Sequence, residues 1–503
     1  MAKKTLMAAA LAMASFSTAM AGGMLTNTNQ SIAFLRNPAR DAAIGIDGTY
    51  SNPAGVAFMK DGLHIGFNWQ AAWQTRDVTT TNDNLALGIN NGGNKTKEYQ
   101  GKAQVPFLPS LQAAYNKGKW SFQFNFGIIG GGGRCEFANG LGSFESAVGQ
   151  IAYKLQSSGV TGYDADCYMQ GKQYYYGFTL GAAYKIKENL SVYFGLRGLY
   201  GTASYKAKID NIRVQTASGM VSFGQILDAA TARLETSRQQ VTNGIAQANY
   251  AYQNGLLTKE AYEGTMLTLN NNMETIKANE QSIESLSGYR EGVNLQCDQS
   301  GFGVAPILGI DYKIGKFNFA AKYEFRTKMS MLNESTVKEA TTLDAVNKFR
   351  DGESVREDSP ALLAVGGMWN CMTNMRVNVG YHHFYDCDSK KYGNTQELLS
   401  SGTDEYLGGV EYDINKKWTV SGGFQITKYG NTDEFMSDMS FVVNSWSFGV
   451  GAKYQCNDKI AVSLGYFQTN YGKYEQTTPD DMGSTNTFTR TNYVVGAGVE
   501  FDL

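Results

Sequence analysis

The chain has 503 residues and carries 44 Lys and Arg against 46 Asp and Glu, a formal net charge of -2. So even a balance gives no electrostatic basis for binding nucleic acid. An aromatic content of 12%, with 30 Tyr and 26 Phe beside 57 Gly, excludes a disordered chain. It suits membrane strands, which carry aromatics at the interfaces and glycine where they curve.

Residues 1–21 read as a signal peptide. Lys3 and Lys4 make a charged start, Leu6 to Phe16 is mostly apolar, and Ala19-Met20-Ala21 has the small-x-small form of a cleavage site. The apolar run is too short to cross a bilayer as a helix, and no Cys stands at the cleavage point to take a lipid anchor. The mature chain is expected to begin near Gly22. No later segment has the continuous apolar run of a transmembrane helix.

Residues 22–62 lack strand alternation and contain Ser51-Asn52-Pro53-Ala54-Gly55. Asn starts turns by bonding its own backbone, while Pro fixes φ and donates no hydrogen bond. A compact irregular segment between an export signal and membrane strands is expected to be a plug. Asn37-Pro38-Ala39 repeats the triplet fifteen residues earlier and stays open as an alternative. Asn52-Pro53-Ala54 is preferred because Gly55 and the first strand follow it.

From residue 63 onward, period-two alternation dominates. Trp120, Phe122, Phe124, Phe126 and Ile128 alternate with Ser121, Gln123, Asn125 and Gly127. Phe317, Phe319, Ala321, Tyr323 and Phe325 alternate with Asn318, Ala320, Lys322, Glu324 and Arg326, and Trp446 to Tyr454 repeats the pattern. The segments are about ten residues long, which is what a tilted strand needs to cross a bilayer. Short turns recur near residues 116–119, 187–189, 313–316, 370–374, 413–417 and 455–458, with long polar loops between them. Tight turns at one end and long loops at the other favour a barrel over a soluble sandwich. Residues 63–503 then give an all-β transmembrane β-barrel of about 14 antiparallel strands.

One loop loses the alternation. Over residues 220–288, Leu227, Leu234, Val241, Ile245, Ala248 and Tyr252 form one stripe at helical spacing, and Tyr262, Met266, Leu269, Met273, Ile276 and Ile283 form another. A break at Asn254-Gly255, with Thr258 as N-cap, makes this an antiparallel helical hairpin. Its stripes serve as a private helix–helix seam or as a docking surface outside the cell.

The six cysteines form no Cys-x-x-Cys pair, and no His stands at a metal-ligand spacing, so neither metal nor cofactor is expected. Cys135 and Cys167 fall in one outer loop and are the pair best placed for a disulfide; Cys371 and Cys456 are expected as free thiols. His64, His382 and His383 are the only histidines, and no nucleophile elbow or phosphate loop is present, which leaves an enzyme without parts.

This layout resembles the FadL family, outer-membrane transporters of long-chain fatty acids and other hydrophobic compounds. Asn52-Pro53-Ala54 matches the family's plug motif, Val56-Ala57-Phe58 continues it, and Pro109-Ser110-Leu111 on the second strand is family-like. The helical insertion departs from better-known members. The resemblance implies a monomeric barrel in the outer membrane of a Gram-negative bacterium, among its lipid and lipopolysaccharide. It implies a plugged lumen, passive transport, and lateral release where the third strand kinks inward. Gly127, Gly130 and Gly131 are the kink candidates, with Gly127 inside the strand preferred, since the run Gly130 to Gly133 reads equally as the start of a flexible loop.

For an amphipathic ligand, Arg197, Lys322, Arg326 and Lys453 are lumen cations by strand parity that could meet a carboxylate. Glu324 shares their face, so a structural network of charges is the alternative. Met24, Leu25, Phe34 and Leu35 are candidates for an apolar lining, or for packing the plug to the wall. Two other functions stay open: a surface barrel whose helical loop binds an external partner, and a general porin.

Overall fold

The computed structural model describes Thr26 and residues 28–156, 159–340 and 344–503. The expected signal peptide, and with it Met24 and Leu25, lies outside the described residues.

Fourteen long strands form the wall: β1 Gly62–Thr81, β2 Thr96–Lys117, β3 Trp120–Phe137, β4 Gly162–Lys187, β5 Leu190–Thr216, β6 Val293–Ile314 and β7 Phe317–Glu324, then β8 Leu362–Met372, β9 Met375–Phe384, β10 Thr403–Asp413, β11 Trp418–Lys428, β12 Ser445–Asn457, β13 Ile460–Tyr471 and β14 Thr485–Asp502. Neighbours pair antiparallel, and β14 returns to pair with β1 from His64–Asp502 to Thr81–Thr485, which closes the barrel. Closure removes the free edges that backbone groups could not tolerate in hydrocarbon.

Alternation sets the two faces. On β3 the ring of Trp120 is 48% exposed while Ser121 is fully buried, and on β7 Phe319 is 50% exposed while Lys322 and Glu324 face inward and are buried. At the turn end of the barrel the outward aromatics pair across strands, as in Trp120 with Tyr184 at 4.7 Å and Trp418 with Tyr454 at 4.7 Å. Those pairs are the girdle expected at a membrane interface.

The strands are longer than the ten residues expected from alternation. β4 and β5 have 26 and 27 residues, against 8 in β7 and 11 in β8. At about 3.3 Å per residue β5 runs roughly 90 Å, far beyond a bilayer's thickness. One side of the barrel therefore stands tall above the membrane, and the loops on that side are shorter than the sequence suggested.

Above the membrane the interior is filled by the chain itself. A helix inside the β3–β4 loop, α2 (Gly142–Lys154), buries Phe144, Val148, Ile151 and Ala152 into a core shared with Phe441 and Phe488. The hairpin is α3 (Phe223–Gln253) and α4 (Lys259–Leu286), with the Thr258 side chain accepting from the Ala261 N–H. Its seam holds Tyr252 stacked on Tyr262 at 4.3 Å, and of the two helices only Phe223, Leu227, Ala248 and Ile276 are buried.

Cys135 and Cys167 do not form a disulfide; both are free. Cys135 lies opposite Gly171 in the β3–β4 register, four residues from Cys167. That offset is roughly 13 Å along the strand, too far for a bridge that needs Cα atoms within about 7 Å.

Candidate functional site

Residues 28–61 run inside the barrel, held by main-chain groups that lack secondary-structure partners. Ser31 caps a short helix, α1 (Ile32–Arg36), which lies so close to the wall that only glycine fits opposite it. A Cβ at Gly449 would lie 2.2 Å from the Leu35 carbonyl oxygen, and one at Gly496 would lie 2.5 Å from Ile32. Phe34 and Leu35 are both buried here in a cluster with Phe467 and Val494, so they pack this segment to β13 and β14.

Asn52-Pro53-Ala54 ties the segment to three strands. Asn52 donates to Asp311 on β6 at 2.5 Å, the Pro53 carbonyl accepts from Gln123 on β3 at 2.7 Å, and the Ala54 carbonyl accepts from Ser191 on β5 at 2.6 Å. Asn37-Pro38-Ala39 sits against the opposite wall, at Gly409 and Gly423 of β10 and β11. Ionic contacts add to these. The ring nitrogens of His382 lie 2.8 Å from Asp41 and 2.8 Å from Glu405, and Arg40 meets Asp47 at 2.8 Å and Glu411 at 3.2 Å.

The wall is broken at one place. β2 and β3 pair from Lys102–Glu136 to Gln104–Arg134 and again from Leu111–Phe126 to Lys117–Trp120, with the register lost between. Pro106 and Pro109 stand in the unpaired stretch of β2, where a residue lacking an N–H is tolerated. On the other side β3 bulges against β4 between Ile128 and Gly130 and between Gly130 and Gly133. Gly131 has φ +85°, and a Cβ there would meet the Gln173 carbonyl oxygen at 2.3 Å, so no other residue fits. Gly127, the preferred kink position, instead keeps regular register with Gly177, and the distortion lies just beyond it at Gly130 to Gly133. Gln30 from the inner segment then replaces the missing strand: its amide donates to the Ile128 carbonyl at 2.6 Å and accepts from the Ile128 N–H at 3.0 Å.

Behind the gap is a cavity of about 90 Å³. Val105, Leu108, Ile128 and Gly131 to Gly133 line it on the wall side, Thr26, Thr28 and Gln30 from the inner segment, and Gln74, Tyr471 and Asn492 toward the loop end. Phe34 and Leu35 do not line it. A larger, polar cavity of about 530 Å³ opens near the loops, between Lys97, Glu145, Asp164 and Lys208.

The lumen cations are engaged elsewhere. Arg197 pairs with Glu324 at 2.5 Å and donates to Thr179 at 3.0 Å. Lys322 donates to the Tyr50 carbonyl at 2.8 Å, with its ammonium 4.9 Å from the Tyr50 ring centre. Lys453 pairs with Glu500 at 2.5 Å. Arg326 lies past the end of β7, bonded to the Asp388 carbonyl and 3.6 Å from Asp358 among the loops. Sequence reading missed Gln30, for which no local signal exists, and the part of β2 in the gap, for which two prolines within one strand run were a signal.

No protein-family model matches the chain, and no curated protein matches it. Solved structures do. A Pseudomonas aeruginosa FadL homologue is similar over 96% of this chain and 100% of its own, with TM-score 0.58 and 11% identity. The toluene transporter TodX of P. putida covers 91% of this chain and 94% of its own, with TM-score 0.52 and 11% identity. The toluene transporter TbuX of Ralstonia pickettii covers 95% and 99%, with TM-score 0.52 and 13% identity. At such identities the likeness is one of fold: the chain has the fold of these FadL-type barrels.

Proposed function

We propose that this protein is a passive outer-membrane channel for hydrophobic compounds, long-chain fatty acids or similar molecules, and not an enzyme. A ligand enters from the loop end, occupies the cavity beside Gln30, and leaves sideways through the gap between β2 and β3 into the membrane. Residues 22–62 act as the plug, with Asn52-Pro53-Ala54 fixing it to the wall, and the bulged run at Gly130 and Gly131 keeps the wall open. The observation that carries this reading is the lost β2–β3 pairing directly outside a cavity that both strands line. Glycine, Pro and a plug side chain together remove the need for that pairing, so the gap is built in. An engineered apolar cavity of about 150 Å³ holds benzene, so an aromatic ring or an alkyl chain would widen this one of about 90 Å³ on entry. The barrel would work as a monomer, since the whole path lies within one chain.

Filling the cavity tests the reading. Val105→Trp with Leu108→Trp should reduce uptake of radiolabelled oleate and toluene to the level of cells lacking the protein, with the barrel still folded by its heat-dependent gel mobility. Full uptake by this double variant would exclude the lateral route.

A further inference from the structure

The buried cations of this barrel are mostly paired with carboxylates, and Lys322 instead donates to the Tyr50 carbonyl. Arg36, Arg40, Arg197, His382 and Lys391 each lie within ion-pairing distance of a carboxylate. Arg76 on β1 and Arg490 on β14 do not, although they are 1% and 2% exposed. They are directly opposite each other in the β1–β14 register. Among the described residues no carboxylate pairs with either; Nε and Nη1 of Arg76 and all three nitrogens of Arg490 have no hydrogen-bond partner. Their neighbours are aromatic: the Arg76 guanidinium lies 4.4 Å from the centre of the Phe441 ring, and that of Arg490 lies 4.8 Å from Tyr471. The single polar contact is from Arg76 Nη2 to the Phe441 carbonyl at 3.3 Å.

Two like charges opposite each other on neighbouring strands repel, and burial without a counter-charge costs each of them heavily. Such a pair is stable when an anion bridges it, and the planar guanidinium fork matches a carboxylate. Its position relative to the cavity is set by the strands. Gln74 and Asn492 line the cavity, and Arg76 and Arg490 are two residues further toward the loop end, on the same faces of the same strands. Tyr471 lines the cavity and also carries Arg490 above its ring.

Resting on the transport reading above, the geometry points to Arg76 and Arg490 as a binding site for the carboxylate head of an amphipathic ligand, whose apolar tail runs down the cavity to the β2–β3 gap. The site selects alkanoic acids over hydrocarbons of the same size. It also orients them, with the head toward the loops and the tail toward the exit.

The test compares oleate with methyl oleate, in which an O-methyl group replaces the charge of the head. Equilibrium dialysis of the full-length protein held in amphipol, using radiolabelled ligands, gives the acid-to-ester preference. Taking the ratio between wild type and Arg76→Gln/Arg490→Gln cancels partitioning of the ligands into the polymer. We expect the double substitution to reduce the preference by about tenfold to a hundredfold, the size expected for lost charge-assisted hydrogen bonds. Thermal unfolding guards against misfolding. Without ligand the double variant should melt at or above the wild-type temperature, because a repulsive pair is gone, and oleate should raise the midpoint of wild type alone. Equal preference in the two proteins, or a double variant that melts lower while keeping the preference, overturns the site and leaves the channel standing. If wild type retains neither oleate nor methyl oleate, the channel reading falls as well.

Discussion

Gln30→Leu separates a wall held open by the plug from one that is open by itself. The side chain keeps its volume but loses both bonds to Ile128, at 2.6 and 3.0 Å, in a place where Gln30 is 8% exposed. β2 cannot take over these two main-chain groups, because its own stretch opposite them is out of register. A buried polar group left unsatisfied costs about 1–3 kcal/mol. Two such groups sum to about 2–6 kcal/mol, which relaxation of the strand lowers to about 2–4 kcal/mol. At about 1.4 kcal/mol per tenfold, the ratio of kinked to relaxed wall falls by roughly 30- to 900-fold. Two measurements report it: uptake of labelled oleate at matched surface expression, and hydrogen exchange of the amides of residues 127–133. Uptake should fall at least tenfold and exchange at Ile128 should rise. Wild-type uptake together with unchanged exchange would refute the idea that Gln30 stands in for a strand.

Three further outcomes follow from named contacts. Arg197→Leu leaves Glu324 buried without its partner, so it should destabilise the barrel by about 3–5 kcal/mol, and adding Glu324→Gln should recover much of the thermal midpoint; an undisturbed midpoint in the single variant would show the pair to be dispensable. Asp438, in the β11–β12 loop, accepts from the Ser143 N–H at 2.7 Å, and burial raises its pKa from 3.8 to about 6. Its neutral form is the one favoured on folding, so its contribution is complete below about pH 4 and is lost as pH rises through about 6. Protection of α2 in hydrogen exchange should therefore weaken over that window, and Asp438→Asn should flatten the dependence. Deleting residues 224–288 removes two helices with few buried side chains, so the barrel should assemble with its melting temperature nearly unchanged and its oleate uptake intact; loss of uptake would place the hairpin, whose Leu256 and Tyr250 are 71% and 66% exposed, on the ligand path or at a partner's surface.

The barrel was legible because a membrane imposes a strict rule on every second residue. Trp120 and Ser121, or Phe319 and Lys322, had to face opposite ways, and the burial of those side chains agrees with their parity. Strand length was not legible, because beyond the bilayer both faces of β4 and β5 can be polar and alternation fades into what resembles loop. The helical hairpin was readable from two stripes, while α2 was hidden in a glycine-rich loop whose apolar residues find partners only in distant segments such as that of Phe441. Arg197, Lys322 and Lys453 face inward as their parity required while Arg326 lies beyond its strand, yet parity says nothing of partners, and Glu324 next to Arg197 is a matter of register across strands. The same holds for Arg76 and Arg490, 414 residues apart and brought opposite each other only by closure of the barrel.

The distribution of bonds around the cavity argues for a sideways path over an axial one. Toward the turn end, passage requires moving the inner segment off Asp311, Gln123, Ser191 and Asn318, each joined to it by a hydrogen bond of 2.5–2.7 Å. It also requires breaking the Arg40–Glu411 and His382–Asp41 contacts. Hydrogen bonds of this kind contribute about 1 kcal/mol each, and breaking a buried ion pair costs about 3–5 kcal/mol. Their sum exceeds ten kcal/mol by rough count, with no compensating interaction that an apolar solute could offer. Through the gap, the β2–β3 bonds are already absent, and the plug amide that satisfies Ile128 stays in place. A solute without polar groups gains nothing by displacing the plug and loses nothing by leaving between Val105, Leu108 and the glycines of β3. On the lateral route proposed above, the inner segment is thus more effective as the fixed inner jamb of a side door than as a movable lid.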